Sequence, residues 1–110
     1  MDPGRQDSLA EAMDRLWVRF LPQLEERVAA LELAAAALAQ GNLVPTQREH
    51  ASEVAHKLAG VLGTFGLQEG TSLAREMEHA YSGDSHADSS AAERLSQIAS
   101  QLRAMLADRK

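Results

Sequence analysis

The chain has 110 residues, a formal net charge of −5 and no cysteine. Its length fits one domain with a modest core. The acidic balance argues against nucleic acid or an anionic membrane as a general partner, and the missing cysteine excludes a disulfide framework, a thiolate zinc site and a cysteine nucleophile.

Hydrophobic residues make up 45% of the chain and aromatic ones only 4%. The core must therefore be aliphatic and closely packed, which favours helices over a β-sandwich of β-branched and aromatic runs. The N-terminal stretch MDPGRQDSLAEAMDRLW is charged and has no apolar signal-peptide core. The longest apolar run, Leu33 to Ala39, is far too short to span a bilayer. A cytoplasmic location without membrane contact is the expectation.

In chain order, Ser8-x-x-Glu11 reads as a capping box, and Leu9, Met13, Leu16, Trp17 and Phe20 follow it at helical spacing. Pro22 either kinks that helix or opens the next. With a boundary there, the spacing predicts helices over about 8–20 and 23–40. The second carries the stripe Leu24, Val28, Leu31, Ala35 and Leu38 and ends at Gly41. Thr46-x-x-Glu49 is a second capping box and predicts a third helix over about 47–65. Its stripe is Ala51, Val54, Ala55, Leu58, Val61, Leu62 and Phe65, and Gly66 closes it.

Leu67, Thr71, Ala74, Met77 and Tyr81 mark a fourth helix over about 68–81. Ser82 to Ser90 is a polar loop rich in turn residues. A third box, Ser90-x-x-Glu93, precedes Leu95, Ile98, Ala99, Leu102, Met105 and Leu106, predicting a fifth helix over about 91–108. No segment alternates with period two. Short links between amphipathic helices favour antiparallel neighbours. The expected fold is one all-α domain spanning the chain. Helices two to five form an up-down four-helix bundle, and the short first helix caps one end with Trp17 and Phe20.

Within the third helix, AHKLAGVLGTFGL (Ala55 to Leu67) places three glycines after His56. Each glycine in a helix interior costs about 1 kcal/mol relative to alanine. At about 100° per residue, His56 falls opposite the apolar stripe, with Gly60 and Gly63 close to it around the axis. The glycines therefore strip side chains from the exposed surface beside a solvent-facing imidazole, as a closely approaching macromolecule requires.

This segment resembles the phosphoacceptor segment of histidine-containing phosphotransfer (HPt) domains of two-component phosphorelays, whose pattern is roughly H-x-L-K-G, then small residues and a second glycine. GTSLAREMEHA (Gly70 to Ala80) is similar to the helix that follows it in that family. WVRFLPQLEERVAALELAAAAL (Trp17 to Leu38) resembles HPt modules attached to response regulators. GTFG (Gly63 to Gly66) is also similar to the phosphoacceptor domain of chemotaxis-type histidine kinases. The resemblance implies that His56 is phosphorylated, with Lys57 near the phosphoryl group and Gly60 leaving room for the partner. It also implies that Glu78, from the neighbouring helix, hydrogen-bonds the imidazole. The family's second lysine, three residues after the histidine, is Ala59 here.

Imidazole is a good nucleophile at neutral pH. One ring nitrogen can attack phosphorus while an acceptor holds the other and selects the tautomer. Phosphoryl transfer also needs in-line geometry, charge neutralisation and usually a metal. No carboxylate cluster for Mg²⁺ is evident on the His56 face, and no phosphate-cradling loop. The chain is therefore expected to bind no metal or cofactor of its own and to be a phosphocarrier, not an enzyme. A receiver domain would bring the phospho-aspartate, the acidic pocket and Mg²⁺. The expected partners are response-regulator receiver domains and a sensor histidine kinase, met by a monomer or a module of a larger protein. Ala59, Gly60 and Gly63 are the expected docking residues.

Two other readings are open. Glu53-x-x-His56 and Glu76-x-x-His79 on adjacent helices have the spacing of a carboxylate-bridged di-metal bundle, but both pairs fall away from the apolar arcs. A plain adaptor bundle could use the same glycine face for a partner helix without phosphorylation. His50, His79 and His86 read as bystanders.

Overall fold

The computed structural model describes residues 3–82 and 88–109, with side chains from residue 8 onward. His86 and most of the polar loop lie outside the described residues. Four α-helices follow one another: α1 (Pro3–Ala39), α2 (Pro45–Thr64), α3 (Gln68–Tyr81) and α4 (Ala92–Asp108), the last preceded by a 3₁₀ turn, Ser89–Ala91. No strand occurs among the described residues. None of their helices is long and apolar enough to cross a membrane.

The first two expected helices are one. α1 runs unbroken for 37 residues through Pro22. An interior proline removes one backbone hydrogen bond and crowds the preceding turn. Here Pro22 sits on the exposed face, and Val18, whose carbonyl loses its donor, is 69% exposed, so water can solvate that carbonyl. The opposite face decides the matter. Trp17, Leu24, Val28, Leu31, Ala35 and Leu38 are all buried, with Leu21 partly buried between the first two. This stripe crosses the proline at alternating spacings of four and three, so burying it against α2 and α4 holds one axis throughout. Among the side chains described, Trp17 is the first buried one of α1.

α1 and α2 end alike. Gly41 and Gly66 have φ of +73° and +74°, a left-handed conformation that costs glycine little. The next residue folds back at each end: Asn42 N–H donates to Ala37 O at 2.8 Å, and Leu67 N–H to Leu62 O at 2.9 Å. Both are Schellman closures.

The helix starts depart from the three capping boxes. Ser8 lies inside α1. α2 starts at Pro45, a residue ahead of Thr46, with Val44 at its N-cap and no side-chain cap. Before α4, the Asp88 carboxylate accepts from Ser90 N–H at 3.0 Å and caps the 3₁₀ turn instead. Proline pre-sets the first turn at one start, and aspartate out-competes serine as acceptor at the other.

α1 packs against α2 and α4, and α3 against the same two, placing α1 and α3 on a diagonal. Phe65, just past the end of α2, meets the rings of Trp17 at 5.1 Å and Phe20 at 6.3 Å near the lower half of α1, so these neighbours run antiparallel. The molecule measures 54 × 22 × 20 Å. Its centre is filled by Leu58 and Leu62 of α2, Met77 and Tyr81 of α3, and Leu95, Ile98 and Leu102 of α4. The most extensive packing is between α2 and α3, and the site lies on that pair.

Candidate functional site

The buried residues of α2 are Ala51, Val54, Ala55, Leu58, Ala59 and Leu62. His56 follows Ala55 by one position and points outward, its side chain 73% exposed. The buried arc is rotated towards α3 relative to the sequence reading, because α2 packs more on α3 than on α1. Val61 is only partly buried. Ala59, expected on the docking surface, is 4% exposed and belongs to the core, a correction to its place on the open face.

Across from His56, Glu78 is the half-buried residue beside Met77 on α3. The two side chains meet at 2.9 Å, Nδ1 to Oε2. An ionised carboxylate can only accept, so Nδ1 carries the hydrogen and donates it, and in the neutral ring Nε2 keeps its lone pair. The Glu78 backbone is tied as well, since Ser52 Oγ donates to its carbonyl at 3.2 Å. One residue of α3 thus takes two bonds from α2, one fixing the helix and the other the ring.

Further along the same seam, a Cβ added at Gly60 would meet nothing within 4 Å, and one at Gly63 only Thr71 Oγ1 at 3.6 Å. Both glycines are exposed. Packing therefore does not demand them, and they leave a bare strip of helix beside the imidazole. Thr71 Oγ1 lies 3.1 Å from Leu67 O and 3.4 Å from Ala59 O, fastening the start of α3 against α2. Thr64 Oγ1 donates back to Gly60 O at 3.1 Å.

Lys57 turns away from the imidazole towards Glu53, with Nζ to Oε1 at 3.5 Å and both side chains more than half exposed. Where the resemblance suggests positive charge, an arginine of α3 stands instead. Arg75 lines a pocket of about 240 Å³ together with His56, Ala59, Gly60 and Glu78. Its charge and helix were visible in the sequence. Its place opposite Gly60 was not, because that depends on the register between two helices.

The di-metal reading loses its ligands. Glu53 is paired with Lys57 and His56 with Glu78. Glu76 is gripped by Arg94 at 2.8 and 2.9 Å, and this guanidinium holds its carboxyl below the usual value of 4.5. His79 is exposed at the end of α3. The described residues contain no group of three or more His, Asp or Glu side chains that could hold a metal ion. His50 too lies on the surface, outside the His56 pocket.

The family described as Hpt domain matches residues 15–108. Among curated proteins, Protein RcaC of Microchaete diplosiphon is 37% identical to the chain over 67 residues, which are 61% of this chain and 10% of RcaC. The chain therefore corresponds to a small part of that much longer relative. No solved structure matches.

Proposed function

The chain belongs to the Hpt domain family, and from that premise we propose that His56 accepts a phosphoryl group from a receiver-domain phospho-aspartate, or from a histidine kinase, and passes it to another receiver domain. The observation that carries this reading is the arrangement at the α2–α3 seam. The imidazole is held through Nδ1 by a carboxylate, and its other nitrogen faces solvent over a glycine strip.

The step balances as follows. The Nε2 lone pair attacks phosphorus, the P–N bond forms, and the P–O bond to the donor aspartate breaks, returning a carboxylate. The Nδ1 proton stays in place. The ring becomes a phosphoimidazolium whose positive charge faces the Glu78 carboxylate. That charge makes the ring a good leaving group when a second aspartate attacks, and its loss regenerates the neutral ring.

Gly60 and Gly63 admit the partner to bond-forming distance, with the buried Ala59 methyl as floor. Lys57 adds positive charge once its long, exposed ion pair with Glu53 opens, which costs little. Among the described residues no carboxylate cluster stands beside His56 for Mg²⁺, and in this reading the ion sits in the receiver's acidic pocket. The protein is a phosphocarrier, and its partners are receiver domains and a sensor kinase.

The test is to incubate the chain with phosphorylated receiver domains and look for an acid-labile, alkali-stable phosphoprotein. Wild type is expected to acquire the label, and His56→Gln to lose it completely with an unchanged circular dichroism spectrum. A chain that no receiver or kinase labels, yet that binds them, would be an adaptor and would overturn the reading.

A further inference from the structure

The site as described is short of positive charge. A transferred phosphoryl group would bring its anionic oxygens to Nε2, on a ring already held by the Glu78 carboxylate. On the α2 side the neighbouring cation is Lys57, which is engaged by Glu53 and does not line the His56 pocket. Position 59, one turn along from His56, holds a buried alanine.

The cation that does line the pocket comes from the other helix. α2 and α3 run antiparallel, so when His56 faces Glu78, the residue one turn on in α2 faces the residue one turn back in α3. The pocket shows this pairing: His56, Ala59 and Gly60 of α2 line it together with Arg75 and Glu78 of α3. Gly60 has open space where a side chain would stand, so nothing on α2 screens Arg75 from the imidazole. Arg75 is exposed and makes no hydrogen bond or ion pair with any described residue. The acidic neighbours on its own helix have other partners: Glu76 is bound by Arg94 and Glu78 by His56.

The geometry points to Arg75 as the phosphoryl-binding side chain of this site, contributed by α3 across the seam to the oxygens of a phosphoryl group on His56 Nε2. The inference rests on His56 being the phosphoacceptor. Guanidinium presents paired N–H donors that match phosphate oxygens, and such charge-assisted bonds are the stronger kind. No atoms are added to the transfer step. Arg75 stays protonated and neutralises charge that develops on the oxygens as the P–N bond forms and that persists in the phosphoprotein.

A small donor separates this role from partner docking. Potassium phosphoramidate, which transfers its phosphoryl group to imidazole and releases ammonia, is used on wild type, Arg75→Ala and Arg75→Lys, with ³¹P NMR as readout. Arg75→Ala is expected to label about five- to tenfold more slowly, the loss of one charge-assisted hydrogen bond. Arg75→Lys, which keeps the charge but not the paired donors, is expected to recover most of the rate. In wild type, the Arg75 Nε–H resonance is expected to shift on phosphorylation. A labelled wild type with an unmoved Arg75 resonance, and an Arg75→Ala rate equal to wild type, overturns the inference while leaving His56 as acceptor. Absence of label on wild type from phosphoramidate, receivers and kinases alike overturns the phosphoacceptor reading itself.

Discussion

At the scale of single residues, Glu78 and Tyr81 lie one turn apart on α3 and meet opposite conditions. The Glu78 carboxylate has a donor and reaches the surface. The Tyr81 hydroxyl is sealed in the core, 1% exposed, with no hydrogen-bond partner among the described residues. Burial pushes its ionisation up from 10.0 to about 12, against a smaller opposing pull from the positive charge of Arg48. The folded state therefore keeps the phenol proton in a range where the unfolded chain loses it. The stabilisation is complete below pH 10 and is lost as pH rises towards about 12, in total about 3 kcal/mol at 1.36 kcal/mol per unit. Denaturant titrations from pH 8 to 12 should show this decline for wild type and a much flatter one for Tyr81→Phe. At pH 7 the substitution should be close to neutral, because the hydroxyl it removes is unpaired.

Residues of this kind were partly legible in advance. Helical spacing alone turned His56 towards solvent, opposite the apolar stripe, and the resemblance supplied its pairing with Glu78. Arg75 was not legible. LAREME reads as an amphipathic helix whose charges face water, and only the α2–α3 register puts one of them over a glycine on the other helix.

At the scale of elements, α2 gives up helix propensity where it carries the site. Gly60 is in a helix interior with open space around it. Alanine there should raise stability by about 0.5–1 kcal/mol, measured as a higher melting temperature. A long side chain should fold equally well but obstruct the partner. Gly60→Leu is expected to reduce labelling by a phosphorylated receiver on the order of tenfold or more, with its melting temperature at or above that of wild type. A Gly60→Leu protein that labels normally would mean that the strip is not the docking surface.

Ala59 was expected among the docking residues because it is small and stands beside Gly60, while the apolar stripe was drawn through the larger aliphatics. A small residue at the edge of an arc takes its burial from its neighbour, and tight packing on α3 drew Ala59 in. The error at Pro22 has the same origin. A local rule for proline was applied where the stripe from Trp17 to Leu38 already required one continuous axis.

At the scale of the whole molecule, two arginines of α4 fasten the bundle. Arg103 grips Glu32 of α1 at 2.6 and 2.9 Å, and Arg94 grips Glu76 of α3. In each case the guanidinium hydrogen bond holds the carboxyl below its usual 4.5. A carboxylate with a depressed folded pKa stabilises fully above its unfolded value. That contribution is lost as pH falls below about 4.5 and through the folded value. Glu32 is 39% exposed, so solvent screening limits its pair to about 1 kcal/mol or less. Glu32→Gln should lower the melting temperature at pH 7 and leave it nearly unchanged at pH 3, and added salt should shrink the difference.

The all-α bundle was legible from periodicity, because apolar spacing reports which face of each helix is buried. These clamps were not, since each depends on the register between two helices, α3 and α4 for one and the distant α1 and α4 for the other.

The length of α1 has a consequence for how the protein opens. At about 1.5 Å per residue, 37 residues span about 55 Å, which is the long dimension of the molecule. Yet no described side chain before Trp17 is buried, and Leu9 is 63% exposed. One unbroken helix thus joins two regimes of cooperativity. Before Trp17 the described turns rest largely on their own hydrogen bonds, beyond a long Asp14–Arg109 ion pair at 3.6 Å, and can fray singly, while after it the backbone opens only when the bundle does. Amide exchange along α1 should therefore step rather than slope: fast and insensitive to denaturant at residues 8 to 14, and near the global limit from Leu24 to Leu38.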